Sequence, residues 1–240
     1  MGRFESDGLS LAFEDEGDGY PLFLLHGFAA DSKSNWRLTG WTRALRRAGY
    51  RVIAADARGH GSSDKPPNSE AYAPENMSVD VLRLMDYLDI PEAVLFGYSM
   101  GGRNAAWLLA SNQDRFNAVV IGGVGETLLR GNGDAEAESL AAPSMVPIYE
   151  TVTRTGDAAG ALSACLLGSF PCLEADVFAN VHTPSLIVAG SRDTVAGSPY
   201  PLADVIPKAR AVVVPGRSHL SVLTDNYFKG AVIGFLGDRW

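Results

Sequence analysis

The sequence predicts an α/β fold in which a mostly parallel central sheet is flanked by helices and carries a small helical cap insertion. Short apolar runs alternate with longer helix-like stretches along most of the chain, a pattern that favours parallel strands joined by helices. One such junction reads Gly97-Tyr98-Ser99-Met100-Gly101, between an apolar run and an Ala/Leu-rich stretch. The 240 residues, 46% of them hydrophobic, are enough for one large core.

The strands of the first half are predicted from short apolar runs bounded by turn residues. They lie at residues 9–13, as an early strand or hairpin, and at 22–25, 51–55, 93–96 and 118–121. Between them, helix-like stretches predict helices at 36–48, at 74–88 and from the 97–101 junction to about residue 111. Because helix-like stretches separate the strands, neighbouring strands are expected to run parallel.

Residues 125–181 break this pattern. They contain no convincing strand, but they hold short helical stretches separated by Pro and Gly, at 135–141, 146–153, 158–167 and 173–179. We therefore expect a core in two parts, 1–124 and 182–240, with a helical cap, 125–181, inserted between them. The second core part supplies strands at 185–189 and 211–214 and a last helix at 222–236. A cap at this point would cover Ser99, supply pocket walls and exclude water.

Ser99 is the predicted nucleophile. Glycines at 97 and 101 allow a tight strand-to-helix turn, since a Cβ at either one would meet neighbouring backbone, and the turn exposes the serine hydroxyl at the start of a helix. A bare G-x-S-x-G also arises by chance in a chain with 26 glycines. A reactive serine needs a base, an acid that orients the base and two oxyanion donors, so these parts must occur elsewhere in the chain.

His219 is the predicted base, because it alone among the four histidines stands in a polar loop, after the strand at 211–214. Asp193 is the predicted acid, because it follows the strand at 185–189 and the carboxyl ends of parallel strands carry functional groups in α/β sheets. Glu126 is the alternative acid. The carboxylate would fix the imidazole tautomer and stabilise the imidazolium.

The predicted oxyanion hole consists of the backbone N–H groups of Met100, directly after the nucleophile, and of Phe28, in the loop His26-Gly27-Phe28 after the strand at 22–25. His26 is interpreted as a structural residue that fixes this loop. Predicted substrate contacts come from apolar side chains: Phe28, Trp36, Tyr149 and Phe170, with Met100, Met145 and Leu166 as further candidates. For the cap side chains, packing against the core is the competing interpretation.

Together these motifs resemble the α/β-hydrolase superfamily along nearly the whole chain. The resemblance rests on the 97–101 elbow, on His26-Gly27-Phe28, on the turn Asp56-Ala57-Arg58-Gly59-His60-Gly61-Ser62-Ser63, and on Asp193 and His219, in the family's order. It implies that Asp56, Arg58 and His60 hold a loop and take no part in chemistry. Within the superfamily, the chain is most similar to small bacterial esterases, haloperoxidase-like hydrolases and lactonases.

These residues predict a serine hydrolase that cleaves small to medium, uncharged acyl esters or lactones through an acyl-enzyme, with no metal or organic cofactor. Two other functions stay open. The elbow with Arg103 is similar to that of menaquinone-pathway synthases, lyases of the same fold that hold an anionic substrate; further cations would be Arg130, Arg154 and Arg192. Some proteins of this fold act instead as small-ligand receptors or signalling proteins. A peroxide-dependent side activity would use the same acyl-enzyme.

Composition limits the kinds of partner, metal site and localisation that we expect. A net charge of -8 and the lack of a basic patch disfavour nucleic acid as a partner. The two cysteines, Cys165 and Cys172, support neither a disulfide framework nor a metal cluster, and are expected in the core. No apolar leader begins the sequence, and no run approaches the roughly 18 apolar residues of a membrane span, so we expect a cytoplasmic protein without a membrane partner. The sequence leaves the oligomeric state open, with a homodimer among the options.

Overall fold

In the described residues, eight strands form one sheet in the order β1-β2-β4-β3-β5-β6-β7-β8. The computed structural model describes residues 1–129, 158–168 and 172–238. The strands are β1 (Gly2–Ser6), β2 (Leu9–Glu16), β3 (Tyr20–Leu25), β4 (Tyr50–Ala55), β5 (Ala93–Tyr98), β6 (Phe116–Gly122), β7 (Ser185–Gly190) and β8 (Ala209–Val214). β2 pairs antiparallel with β1 and β4, whereas all pairs among β3 to β8 are parallel. The predicted α/β class with a mostly parallel sheet is confirmed.

Helices cover both faces of this sheet. Within the described ranges they are α1 (Trp41–Arg47), α2 (Pro74–Tyr87), α3 (Met100–Asn112), α4 (Ala158–Gly168), α5 (Tyr200–Val205) and α6 (Asn226–Gly237). One turn of π-helix, Lys33–Arg37, precedes α1. Side chains of α2, α3 and α5 pack in the apolar cluster on one face, and those of α1 and α6 pack in the cluster on the other. None of these helices is long and apolar enough to cross a membrane.

Alternate residues of the central strands enter the two clusters. In β3, Phe23 and Leu25 belong to the cluster of α2 and α3, whereas Leu22 and Leu24 belong to the cluster of α1 and α6. This alternation follows from the period of two in a strand. Because both faces of β3 are covered, it is a nearly continuous apolar run, which is why the sequence reveals it. Leu25 pairs with Gly97 of β5, so the carboxyl ends of these two strands lie side by side.

The early strand proves to be the second strand of a hairpin. β1 and β2 are joined at Asp7 and Gly8, whose φ values are 52° and 76°. Such left-handed conformations are what a tight hairpin turn requires, and Asp-Gly is a preferred pair for it. The hairpin alternative for residues 9–13 is therefore the correct one.

The helix predicted at 36–48 is wrong as a single element. The chain instead forms the π-helical turn Lys33–Arg37, breaks, and starts α1 at Trp41. Gly40, directly before α1, has φ 84°, a left-handed conformation that interrupts a right-handed helix. The apolar pattern did not reveal the break, because Trp36 and Trp41 are both buried in the same cluster.

Two later helices also differ from prediction. The last helix begins at Asn226, because the Asp225 carboxylate caps it by accepting hydrogen bonds from Tyr227 N and Phe228 N at 2.7 Å and 3.3 Å. The helix predicted at 173–179 is only a 3₁₀ turn, Ala175–Phe178. In both places apolar residues continue across a position where the backbone is not α-helical.

The described part of the predicted cap centres on α4, which matches the helix expected at 158–167. Its buried side chains pack with core side chains in one apolar cluster, which comprises Ala161, Leu162, Ala164 and Cys165 with Phe28, Tyr72, Met77 and Met100. The helices predicted at 135–141 and 146–153 lie outside the described residues. The division into two core parts and a cap stays a prediction.

Candidate active site

The order of the strands creates a crevice at the carboxyl edge of the sheet. β4 lies on one side of β3 and β5 lies on the other. The strand order therefore reverses between β3 and β5, which makes this position a topological switch point. Loops that leave the sheet at such a point diverge and open a crevice. The loop after β3 starts at His26, and the turn after β5 holds Ser99. The loops with Asp193 and His219 follow β7 and β8, which run parallel to these strands, so all four segments leave the same edge.

Ser99 lies in a strained turn between β5 and α3. Its backbone has φ 54° and ψ −116°, and a residue other than glycine rarely adopts such a positive φ. Glycines make the turn sterically feasible: a Cβ at Gly97 would lie 2.0 Å from Gly101 O, and one at Gly101 would lie 2.1 Å from Leu25 O. The turn presents the half-buried Ser99 side chain at the N-terminus of α3.

Ser99, His219 and Asp193 form a hydrogen-bonded relay. Ser99 Oγ lies 2.9 Å from His219 Nε2, and His219 Nδ1 lies 3.0 Å and 2.9 Å from Oδ1 and Oδ2 of Asp193. A carboxylate can only accept, so Nδ1 carries the proton, and Nε2 keeps the lone pair that accepts from the serine hydroxyl. His219 and Asp193 are 1% and 5% exposed, so protein surrounds most of the relay.

Neighbouring groups hold the relay in place. Asp193 Oδ1 also accepts from the backbone N–H groups of Val195 and Ala196, at 3.1 Å and 2.9 Å. The Tyr98 hydroxyl donates to the backbone carbonyl of His219, and the centroids of the two rings are 5.4 Å apart. Burial raises the pKa of Tyr98 well above its ordinary value, so the hydroxyl remains a donor. The residue before the nucleophile thus fixes the backbone of the candidate base.

The loop after β3 lies against the elbow. His26 O accepts a hydrogen bond from Gly101 N at 3.1 Å, which ties the loop to the first turn of α3. Met100 is the first residue of α3, so its N–H has no partner within the helix and lies at the positive end of the helix dipole. Phe28 follows two residues after His26. Both predicted oxyanion donors therefore belong to backbone segments that adjoin Ser99.

Two buried histidines support this loop. His26 Nδ1 donates to Gly27 O at 2.8 Å, while Nε2 accepts from Ala57 N at 3.0 Å, which fixes one neutral tautomer. His60 packs against the rings of His26 and Phe28, with centroid distances of 5.2 Å and 5.7 Å. Burial lowers the pKa of His26, and it lowers the pKa of His60 to about 3. This geometry agrees with the interpretation of His26 as a structural residue.

The turn at residues 56–63 ties the loop to the rest of the core. Asp56 accepts hydrogen bonds from Ser32 N and Ser62 N, each at 2.8 Å. Arg58 forms a buried ion pair with Asp80 of α2, with an Nη2–Oδ1 distance of 2.6 Å and an Nε–Oδ2 distance of 2.7 Å. These polar groups have partners that hold loops together, as the resemblance implies.

The residues expected to contact substrate differ in where the structure places them. Phe28 and Met100 lie at the site, and their side chains pack with those of α4. Trp36 was expected to contact substrate, but its side chain is completely buried in the cluster on the α1 and α6 face of the sheet. The centroids of the Trp36 and Phe96 rings are 4.8 Å apart. Trp36 therefore packs the core. Leu166, on α4, is half-buried and packs against the same apolar cluster as Phe28 and Met100. The other candidates, Met145, Tyr149 and Phe170, lie outside the described residues.

The structure also shows where the alternative acid, Glu126, and two of the candidate arginines lie. Glu126 lies beside Gly197, where an added Cβ would be 2.6 Å from Glu126 Cγ. The carboxylate on His219 Nδ1 is that of Asp193. Of the cations considered for an anionic substrate, Arg103 is half-buried and Arg192 is exposed, while Arg130 and Arg154 fall outside the described ranges.

Neither cysteine is part of a disulfide; Cys165 is buried and Cys172 is half-buried. Within residues 1–129, 158–168 and 172–238, no three His, Cys, Asp or Glu side chains cluster in a way that could hold a metal ion.

Sequence reasoning missed two residues of the site. Tyr98 holds the backbone of His219, and its signal was a hydroxyl at the end of an otherwise apolar strand. Asn35 accepts a hydrogen bond from Gly27 N at 3.0 Å. Its only signal was a polar residue directly before a buried tryptophan, and nothing in the spacing pointed to Gly27 as its partner.

Known proteins resemble this chain in sequence and in fold. The family model described as alpha/beta hydrolase fold matches residues 20–163. An epoxide hydrolase of Caballeronia sordidicola is 37% identical over 114 residues, which are 48% of this chain and 34% of that protein. The 3-oxoadipate enol-lactonase 2 of Acinetobacter baylyi is 29% identical over 173 residues, covering 61% of this chain and 62% of the lactonase. The crystal structure of a hydrolase from Pseudomonas aeruginosa PA01 superposes with a TM-score of 0.79 at 27% identity, covering 98% of both chains.

The extent of these matches differs. The chain spans about a third of the length of the epoxide hydrolase and 62% of that of the lactonase. The family match, by contrast, covers more than half of the chain and includes β3, β5 and the elbow. The chain belongs to the alpha/beta hydrolase family.

Proposed function

We propose that this protein is a serine hydrolase that cleaves carboxylic esters, either open-chain esters of small to medium acyl groups or lactones, through an acyl-enzyme on Ser99. The observation that carries the proposal is the relay from Ser99 Oγ through His219 to Asp193, in which the donor–acceptor distances are 2.9 Å to 3.0 Å. The strained elbow and the adjoining N–H groups support it, since acyl transfer needs an activated nucleophile beside preorganised oxyanion donors.

Acylation would begin with attack of Ser99 Oγ on the ester carbonyl carbon. As the new C–O bond forms, the serine proton passes to His219 Nε2, and Asp193 stabilises the imidazolium through Nδ1–H. The carbonyl oxygen becomes an oxyanion that accepts hydrogen bonds from the N–H groups of Phe28 and Met100. Collapse of the tetrahedral intermediate breaks the ester C–O bond, and the departing alcohol takes the proton from His219 Nε2.

Deacylation would repeat these steps with water as the nucleophile. His219 Nε2 removes a proton from water while the water oxygen attacks the acyl carbon, and the same N–H groups hold the second oxyanion. The carboxylic acid leaves as the proton returns to Ser99 Oγ. With a lactone, the alcohol released in acylation stays attached to the acyl chain, so the product is a single hydroxy acid.

The apolar surroundings support an uncharged acyl group of modest size. The side chains of Phe28 and Met100 pack with Leu162 and Cys165 of α4, and Cys165 Sγ lies 3.7 Å from Met100 Sδ. An ionic group pressed against these side chains would lose its hydration without gaining a hydrogen bond from them. We therefore expect neutral esters to be better substrates than esters whose acyl chain carries a charge.

A serine nucleophile favours esters over epoxides, although one relative is an epoxide hydrolase. Attack of Ser99 Oγ on an epoxide carbon would form an ether, which has no carbonyl group for water to attack in a second step. An ester instead gives an acyl-enzyme, which keeps its carbonyl and can be hydrolysed by water that His219 activates. The chemistry of the elbow is thus closer to that of a lactonase.

The test measures hydrolysis of p-nitrophenyl acetate, butyrate and octanoate, and hydrolysis of simple lactones, which is followed by the release of acid. Ser99→Ala and His219→Ala are assayed beside the wild type. We expect turnover of the short esters and a fall of at least about 10³-fold in either variant, because nucleophile and base act as a unit. Ser111→Ala and His182→Ala change the same residue types at exposed positions and should keep wild-type rates.

Ester turnover that survives Ser99→Ala would contradict the proposal. Folded wild-type protein without turnover of any ester or lactone would favour the lyase or receptor functions that the sequence left open. Melting curves of every variant separate loss of chemistry from loss of fold.

A further inference from the structure

In the loop that carries Phe28, a glycine directly precedes the predicted oxyanion donor. Gly27 separates His26 from Phe28, and glycine rotates about φ and ψ more freely than any other residue. An oxyanion donor must be aimed before the reaction begins, since its benefit comes from preorganisation. The orientation of Phe28 N–H must therefore be set by contacts that restrain the peptide units around Gly27.

The peptide unit before Gly27 is held at both ends. His26 O accepts from Gly101 N at 3.1 Å, and Gly27 N donates to Asn35 Oδ1 at 3.0 Å. Within one planar trans peptide, the carbonyl and the N–H point in opposite directions, so these two bonds fix the plane. Gly101 contributes backbone, whereas Asn35 contributes a side chain that can be changed without touching the elbow.

The peptide unit after Gly27 adjoins the one before it at the glycine and is also held at its carbonyl, where Gly27 O accepts a hydrogen bond from Ala30 N at 3.2 Å. Gly27 O accepts from His26 Nδ1 at 2.8 Å, and Phe28 N–H, in the same plane, points to the opposite side. A Cβ built on Gly27 would lie 3.4 Å from Ser99 Cβ and 3.5 Å from Asn35 Oδ1. Gly27 therefore lies close to both Ser99 and the Asn35 amide.

The π-helical turn delivers Asn35 to this position. Leu38 N donates to Lys33 O at 2.9 Å, the wide hydrogen bond of a π-turn, and Thr39 Oγ1 donates to Asn35 O at 2.6 Å. Turns of this kind are rare in proteins, and those that occur often lie at functional sites. Asn35 is 4% exposed, and among the described residues its Nδ2 has no hydrogen-bond partner.

We infer that Asn35 is a positioning residue of the oxyanion hole, which acts through Gly27 N–H to keep Phe28 N–H aimed at the developing oxyanion. The inference rests on the proposed function. Without the amide, the buried Gly27 N–H would lack its acceptor, and rotation at the glycine to find another would turn the next peptide away. Because Asn35 acts through the loop, its loss should weaken transition-state stabilisation and leave substrate binding nearly unchanged.

Asn35→Leu and Asn35→Ala test this role. Both remove the acceptor; leucine fills the space, and alanine leaves room for water that can accept from Gly27 N without fixing it. We expect kcat for p-nitrophenyl acetate to fall about tenfold to a hundredfold, with KM within about twofold, because losing an oxyanion donor outright costs about 10²–10³ in kcat. Ser34→Ala is the matched control, since this hydroxyl lies in the same turn but bonds to Asp31, at 2.6 Å from Oδ1, and not to the peptide units on either side of Gly27.

Wild-type kcat in folded Asn35→Ala would overturn the inference, and so would a higher KM at constant kcat, because that pattern reports substrate binding. If Asn35→Leu fails to fold, Asn35→Ala carries the test. Loss of activity in Ser99→Ala with no effect at Asn35 would refute the positioning role and leave the proposed function standing. A wild type without esterase or lactonase activity would remove the proposed function, and this inference with it.

Discussion

Asp193→Asn separates the chemistry of the relay from its shape. Asparagine is nearly isosteric with aspartate, but its amide has one acceptor oxygen where the carboxylate has two. Asp193 Oδ1 accepts from Val195 N and Ala196 N at 3.1 Å and 2.9 Å, and both carboxylate oxygens lie near His219 Nδ1. The asparagine oxygen should keep the two backbone N–H groups, which leaves its NH₂ group facing the imidazole.

An NH₂ group facing Nδ1 reverses the imidazole tautomer. Nδ1 then accepts, and Nε2 carries the proton, so His219 can no longer take the proton of Ser99 Oγ, 2.9 Å away. The wrong tautomer costs about 10⁴-fold in kcat in a comparable relay, which corresponds to about 5.4 kcal/mol of activation free energy. The free energy of unfolding should change by only about 1–2 kcal/mol, because the backbone bonds to the side chain remain.

The assay is steady-state hydrolysis of p-nitrophenyl acetate, with urea unfolding of the same preparations. Asp204→Asn, which alters an exposed aspartate of α5, serves as the matched control and should keep the wild-type rate. A folded Asp193→Asn protein that retains more than about a tenth of the wild-type kcat would show that the required tautomer does not depend on the carboxylate.

Three other substitutions report on the supports of the site. Tyr98→Phe leaves the buried backbone carbonyl of His219 without its donor, and should lower the free energy of unfolding by about 1–3 kcal/mol and also lower kcat; unchanged urea midpoint and kcat would contradict this. Gly101→Ala adds a Cβ 2.1 Å from a backbone carbonyl oxygen, and calorimetry should show destabilisation of about 3 kcal/mol or more; a wild-type melting temperature would argue against the tight contact. His60 has its pKa lowered from 6.5 to about 3, so the unfolded chain binds a proton first as pH falls. Stability from this group is complete above pH 6.5 and should decline by about 1.4 kcal/mol per pH unit down to pH 3. His60→Asn keeps an N–H donor without titrating and should flatten this decline in urea titrations; equal slopes in the two proteins would count against a neutral buried His60.

The central strands could be predicted because both of their faces are buried. β3 and β5 contain few polar residues, so short apolar runs mark them, and the residues that follow them lie at the carboxyl edge of the sheet. Ser99, Asp193 and His219 could be nominated for the same reason, since each follows a recognisable strand. The sequence positions alone could not show the hydrogen bonds that join these three side chains.

Side-chain direction was the main thing that could not be predicted. Trp36 was expected in the pocket, but the break before α1 leaves its ring among the core aromatics, against Phe96. The break depends on Gly40 at φ 84° and on one π-helical turn, and neither disturbs the apolar pattern. The partner of Asn35 is a backbone N–H in another loop, which no periodicity encodes.

An alkyl fluorophosphonate modifies activated serines, so peptide mass spectrometry after this reaction shows whether Ser99 is the nucleophile. We expect a phosphonyl group on the peptide that contains Ser99, formed rapidly in the wild type, slowly in His219→Ala and not at all in Ser99→Ala. Rapid modification of a different residue, or a wild-type Ser99 that stays unmodified while the protein turns over esters, would show that Ser99 is not the nucleophile.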